Sequence, residues 1–259
     1  MPHNAGDYVV ANVLPKIGVA APTLYAINYA DAAYIAQVLC DDAKDYLYSG
    51  IISFANACAS VRVGYYSWST VKLYYATFYM IRGLLANAGI CVWYMGNKPM
   101  LLRAAAGEQM RKPPGGKKAG TTHGLVLETA KRELSNDVIF SQPIAGIHAV
   151  EWMRERREEA NYWHSRFVEP GVPDHMKMVH QNGLRRLVTA YLSDMLSFAF
   201  DPDHAIIAYP MLVWKRLREQ ISAQSGTVLN EDEQSYLRSL FVDNAGLLTA
   251  MWALLADAA

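Results

Sequence analysis

Ser69-Thr70-Val71-Lys72-Leu73-Tyr74-Tyr75-Ala76-Thr77-Phe78-Tyr79-Met80-Ile81-Arg82-Gly83-Leu84-Leu85-Ala86-Asn87-Ala88-Gly89 is the stretch whose reading decides the fold. Ser67-Trp68-Ser69-Thr70 supplies N-cap candidates at its start, and Gly89 stands where a C-terminal glycine cap belongs. Between them Val71, Leu73, Tyr74, Tyr75, Phe78, Tyr79, Met80, Ile81, Leu84 and Leu85 cover most of the circumference of a helix with about 3.6 residues per turn. A helix apolar nearly all round belongs in the centre of a bundle. Its row of Tyr and Phe reads as core rather than as a platform for stacking bases. The spacing predicts a helix over residues 70–87 with other helices packed around it.

Upstream, residues 1–22 hold Pro15, Pro22, Gly6 and Gly18 and read as an irregular lead-in. From Asn28 the pattern turns helical, with Asp31 as a cap candidate and apolar residues at three- and four-residue spacing to Leu47. Gly50 is expected to break this into two helices, the second over 51–61. Downstream, 90–95 and 98–102 flank Gly96-Asn97 and predict a short β-hairpin. Residues 107–120, with Lys112-Pro113-Pro114-Gly115-Gly116-Lys117-Lys118, read as a mobile loop. Thr121 or Thr122 caps a helix over 125–134, and a loop at 136–143 leads into a long helix ending before Pro170. Further helices are expected over 174–198, over 205–223 with a kink or restart at Pro210, and over 230–255. Asn230-Glu231-Asp232-Glu233 is a capping box for the last. The expected class is an all-α helical bundle with one small β-hairpin insertion and additional C-terminal helices. An N-terminal segment (1–60) packs on a core (61–200), an extension (201–259) follows, and the three read together as one compact domain.

A chain of 259 residues can bury a substantial core. With 52% hydrophobic and 19% charged residues and a formal net charge of zero, nothing global announces a nucleic-acid binder, so phosphate recognition would rest on local patches. Cys40, Cys58 and Cys91 form no C-x-x-C pattern, which suits reduced thiols rather than a disulfide framework or a zinc site. No secretory signal is visible, and the apolar stretch 245–259 is too short and interrupted to span a bilayer. These features give the expectation of a soluble cytoplasmic protein with no membrane association, no metal and no cofactor.

Chemistry concentrates in Arg154-Glu155-Arg156-Arg157-Glu158-Glu159-Ala160-Asn161-Tyr162-Trp163-His164-Ser165-Arg166-Phe167. Wound as one α-helix, it puts Arg157 and His164 on one face, with Asn161 between them and Arg154 one turn earlier. The apolar face carries Ala149, Trp152, Met153, Ala160, Trp163 and Phe167, and Arg156 falls on that side as a candidate structural arginine. The plain reading is a solvated surface helix with intrahelical ion pairs. A second charged feature is the segment 98–118, where Lys98, Arg103, Arg111, Lys112, Lys117 and Lys118 face a single acidic residue, Glu108. It reads either as a basic loop gripping a phosphate backbone or as a solvated loop with incidental lysines.

From Val61 to about Phe198 the order of features resembles the HEPN superfamily. Residues 69–89 look like the second helix of that fold, Thr122-His123-Gly124 like the opening of its third, and Arg156-Arg157-Glu158-Glu159-Ala160-Asn161-Tyr162 like the start of its R-x(4–6)-H motif. Arg157 and His164 give the spacing R-x6-H. The resemblance implies a dimerising helical domain that cuts RNA without a metal, in many members as part of toxin–antitoxin or antiphage defence. The residue types suit that chemistry. RNA supplies its own nucleophile, the 2′-hydroxyl; a histidine can take or return that proton; an arginine can hold the phosphate. A two-fold axis would pair two such strips in a composite cleft. Active members of the family usually carry a small polar residue directly after the arginine, and this chain has Glu158.

Three functions are therefore weighed. The first is a homodimeric, metal-independent endoribonuclease with Arg157 and His164 catalytic, supported by Asn161, Arg154, Arg156, Glu158, Tyr162 and His123. The second is a non-catalytic helical subunit that binds a partner protein or nucleic acid, favoured by Glu158, the zero net charge and the aromatic C-terminal helices. The third is a toxin neutralised by covalent modification of Tyr162, on proximity alone.

Overall fold

The computed structural model describes residues 3–17, 22–113, 122–163 and 165–256. Helices account for 68% of the described residues and strands for 10%, so the class is predominantly α-helical. In chain order come α1 (Asn4–Tyr8), a π-wound turn (Val9–Val13), α2 (Leu14–Ile17), α3 (Tyr29–Arg62), α4 (Tyr66–Asn87), β1 (Ile90–Met95), β2 (Lys98–Arg103) and α5 (Thr122–Glu133). After them lie β3 (Pro143–Ile144), β4 (Ile147–His148), α6 (Ala149–Glu158), α7 (Lys177–Asn182), α8 (Leu184–Ser193), α9 (Met195–Ala199), α10 (Ala205–Ser225), α11 (Glu231–Leu240), β5 (Val242–Asp243) and β6 (Gly246–Leu247). Where one hairpin was expected, the described strands form three antiparallel pairs, β1–β2, β3–β4 and β5–β6, the last two only two residues long.

The chain divides into two compact units, Met1–Tyr46 with Ile81–Ser135 and Leu47–Met80 with Asn136–Ala259, and α3 and α4 each contribute to both. In the first unit the expected irregular lead-in is helical over Asn4–Ile17. The reason is remote in sequence. The Asp42 carboxylate accepts from the N–H groups of Asn4 and Ala5 at 2.9 and 3.0 Å, and His3 Nδ1 accepts from Gly6 N–H at 2.9 Å. Three donors that a helix start leaves unpaired are thereby satisfied, and Ala5, Val9 and Val13 are buried. His3 Nε2 hydrogen-bonds the Val92 carbonyl, and burial pushes its pKa below the usual histidine value. Asn28, not Asp31, caps α3: its side-chain oxygen accepts from Asp31 N–H at 2.8 Å. The Asp31 carboxylate instead takes hydrogen bonds from Lys16, Tyr8 and Asn28.

The β1–β2 hairpin forms where expected, with Ile90 opposite Arg103 and Met95 opposite Lys98. Part of the expected mobile loop is fixed against it. Arg111 exchanges two 2.8 Å backbone hydrogen bonds with Leu101, and Glu108 O accepts from Ile27 N–H at 3.0 Å. Residues 114–121 lie outside the described residues.

In the second unit the expected break at Gly50 is absent, and α3 runs unbroken through it. A Cβ at Gly50 would lie 2.7 Å from Met80 Cγ and 3.2 Å from the Ala76 carbonyl, so glycine here permits a close helix crossing rather than ending a helix. Along α4, Leu73, Tyr74, Phe78 and Met80 are buried as the spacing predicts, and buried Ser69, Thr70 and Thr77 donate back to carbonyls one turn earlier. The single helix expected over 174–198 is three short ones, interrupted at Gly183 (φ 76°) and Asp194. Pro210 lies inside α10, which continues past it. The helix expected to reach residue 255 stops at Leu240 because Phe241 turns fully inward. There it stacks on Trp214 at 5.8 Å, with Phe54 edge-on to Trp214 at 5.9 Å. Among the described residues Cys40, Cys58 and Cys91 form no disulfide. Among the described residues no helix is long and apolar enough to cross a membrane.

Candidate functional site

The β3–β4 turn, with Ala145 at φ 50° and Gly146 at φ 77°, delivers the chain into α6. Glu151 sits in its first turn and Arg156 and Arg157 in its last, the charge order the helix dipole favours. Ala149, Val150, Trp152 and Met153 bury one face. The remaining face is laced with ion pairs. Arg154 meets Glu151 at 2.5 Å and Glu158 at 3.7 Å, while Arg156 meets Glu159 at 3.1 Å and Glu155 at 3.8 Å. Glu158, the family departure, thus faces an arginine. Arg156 also lies over the Trp152 ring at 5.6 Å and keeps a quarter of its side chain exposed, so it is only partly buried.

Arg157 differs from its neighbours. Its guanidinium lies 5.4 Å from the Tyr74 ring centroid, 6.0 Å from Tyr75 and 5.3 Å from Tyr162, and its Nη2 approaches the Tyr162 hydroxyl at 3.4 Å. No carboxylate among the described residues pairs with it. Three aromatic faces hold a flat cation here without neutralising it. Tyr75, which the spacing assigns to the core, is only half-buried and belongs to this group.

The α-winding that put Arg157 and His164 on one face ends at Glu158. Glu159–Trp163 is π-wound, with hydrogen bonds five residues apart, so later side chains rotate away from the expected register. His164 itself lies outside the described residues. Asn161 is half-buried within the π-turn. Trp163 and Phe167, expected on the apolar face, are 59% and 46% exposed, and Tyr162 is 68% exposed. Phe167 packs edge-on to exposed Trp68 at 5.7 Å.

Beside α6 a cavity of about 300 Å³ is lined by Ser67, Thr70, Arg156, Arg166 and His175 among others. His175 Nε2 hydrogen-bonds Thr70 Oγ1 at 2.9 Å, and burial, reinforced by Arg156, pushes its pKa down to about 4. Glu169 accepts from Ser67 N–H and Ser67 Oγ, both at 2.7 Å; burial opposes its ionisation, but these bonds outweigh it and hold the carboxyl below the usual range. His175 and Glu169 escaped the sequence reading, and the partner of Ser67 did too. Pro173-Asp174-His175 carries no periodic signal, and Ser67 looked only like a cap with its own side chain.

The remaining sequence candidates belong to the first unit. His123 is the second residue of α5. Arg103 and Arg111 each reach Glu133 at 2.9 Å, and Arg132 joins them at 2.8 Å. Burial resists the charge on Glu133, but Arg132 and Arg111 hold its pKa below the usual carboxylate value. Lys98 and Lys112 are exposed, and Lys117 and Lys118 lie outside the described residues. Among the described residues, no three His, Cys, Asp or Glu side chains gather as a metal-binding group. The chain matches no protein-family model, no curated protein and no solved structure, so the HEPN resemblance rests on the quoted residues alone.

Proposed function

We propose that this protein is a metal-independent endoribonuclease of HEPN type, acting as a homodimer in a defence or toxin–antitoxin setting, with Arg157 and His164 as its catalytic pair. One observation carries this reading: Arg157 is a cation without a described carboxylate partner, fixed between aromatic rings beside exposed Tyr162 and Trp163. Single-stranded RNA is bound by that combination, with phosphate on arginine and bases on aromatic faces. In the reaction the 2′-hydroxyl loses its proton to His164 and its oxygen attacks the adjacent phosphorus. The P–O5′ bond breaks, leaving a 2′,3′-cyclic phosphate and, after proton return, a 5′-hydroxyl. Arg157 stabilises the charge that gathers on the phosphate oxygens. A mixture of tRNA and a structured RNA, incubated in EDTA, tests this. Wild type is expected to cut and the Arg157→Ala/His164→Ala double variant to leave the RNA intact; equal cutting by both would refute the assignment.

A second reading has its own support. Arg154 and Arg156 are already committed to carboxylates, and Trp68 and Phe167 present a joined aromatic surface. That suits a non-catalytic subunit holding a partner protein. A stable complex that survives Arg157→Ala, with no cleavage by wild type, would favour it.

A further inference from the structure

One cleft of the second unit is lined by the last turn of α3, the α7–α8 junction and the β5–β6 hairpin, with no α6 residue in its lining. It encloses about 700 Å³, within the range of small-molecule sites, roughly 300–1,000 Å³. Its charge is one-sided. Arg62, Arg185 and Arg186 line it against one carboxylate, Asp243. Asp243 is already taken by Arg185 through two hydrogen bonds of 2.9 and 2.7 Å. Arg185 also donates to the carbonyls of Gly246 and Leu247, so it ties the hairpin down and is spent structurally. Arg62 and Arg186 are exposed and have no ion-pair partner among the described residues. Two uncompensated guanidinium groups therefore face one cavity.

The rest of the lining is not that of a general basic surface. Cys58, Val61 and Leu184 give it an apolar floor. Tyr66, buried, and His180, exposed, meet edge-to-face at 5.8 Å and share a 2.7 Å hydrogen bond. Gly183 and Leu184 bring the start of α8 to the same cleft with no side-chain cap. An ordinary polar solute would leave the cations unmet, and an apolar one would desolvate them at a cost.

We propose that this cleft binds a small phosphorylated ligand of mononucleotide size, its phosphate on Arg62 and Arg186 and its ring on the apolar floor beside Tyr66 and His180. The site is separate from α6 and stands whether or not the chain cuts RNA. The test is titration calorimetry on the full chain with AMP, adenosine and inorganic phosphate, without added metal. AMP is expected to bind more tightly than either fragment, and Arg62→Gln and Arg186→Gln are each expected to weaken it about tenfold. Both arginines are exposed and have no ion pair among the described residues, so the variants should keep the wild-type Tm. Failure of AMP to bind, or binding unmoved by both substitutions, would overturn the proposal. Adenosine or phosphate matching AMP would overturn the mononucleotide assignment.

Discussion

The Glu169 carboxylate accepts two 2.7 Å hydrogen bonds from Ser67, one from its backbone N–H and one from its hydroxyl. Ser67 is the second residue of α4, so Glu169 caps that helix from 102 residues away. The contact anchors the segment after the π-turn to the start of α4. Glu169→Ala is expected to lower stability by about 1–2 kcal/mol in urea unfolding at neutral pH. The folded pKa of Glu169 is depressed, so its contribution is present above the unfolded value and is lost as pH falls through the folded one. The gap between wild type and variant should therefore narrow in acid. A gap that stays constant with pH would mean that the charged form is not what caps α4.

Arg157→Lys separates the charge of the site from its shape. Lysine keeps the cation but not the flat, delocalised group that lies between Tyr74 and Tyr162. Under the nuclease reading, single-turnover cleavage with saturating enzyme is expected to fall about 100-fold or more. Stability should change by only about 1 kcal/mol. Tyr162→Phe should matter little, since the 3.4 Å contact from Arg157 is long for a hydrogen bond. Cleavage by Arg157→Lys at the wild-type rate would show that the positive charge alone suffices and that the planar group between the tyrosines is not required.

What the sequence made legible follows from where each determinant lies. The central helix and the β1–β2 hairpin depend on local pattern, and Leu73, Tyr74, Phe78 and the Gly96-Asn97 turn announced them. The lead-in became α1 through Asp42, a cap no window around Asn4 contains. Gly50 looked like a breaker because its neighbours in sequence do not reveal Met80. At the site, the run of Arg and Glu was visible, but its pairing was not. Arg154 and Arg156 sit on carboxylates while Arg157 sits on tyrosines of another helix. Periodicity also assumes one winding throughout, and the π-turn at Glu159–Trp163 breaks that assumption just before His164.

Gly50 gives a prediction in which two effects oppose. Placing alanine inside a helix usually gains about 1 kcal/mol over glycine. Here the new methyl would sit 2.7 Å from Met80 Cγ and 3.2 Å from the Ala76 carbonyl. The carbonyl is backbone and cannot swing away, so the clash is expected to win and Gly50→Ala to destabilise by about 1–3 kcal/mol. Met80→Ala alone leaves a cavity and costs about 2–5 kcal/mol. In the double variant the Met80 clash is gone and only the tighter-than-usual 3.2 Å approach to the Ala76 carbonyl is left, so the combined loss should fall short of the sum by about 1 kcal/mol. Strict additivity in chemical denaturation would show that Met80 is not what Gly50 accommodates.

His175 sets a pH dependence whose sign the geometry fixes. Thr70 Oγ1 donates to the Tyr66 carbonyl, so it accepts from His175, and Nε2 is the protonated nitrogen of a neutral ring. Charging that ring adds a second N–H in a buried place, with Arg156 contributing a like charge nearby. The folded pKa is about 4, against the ordinary histidine value of 6.5. Between those values the unfolded chain takes up a proton that the folded chain refuses. The stabilisation is thus fully present above the unfolded value, declines as pH falls, and levels off below the folded one. The span corresponds to about 3 kcal/mol at most. Unfolding in urea from pH 7.5 down to pH 4 should show a steeper loss for wild type than for His175→Gln, which keeps a donor for Thr70 but cannot be charged. Parallel curves would place the titration on another group.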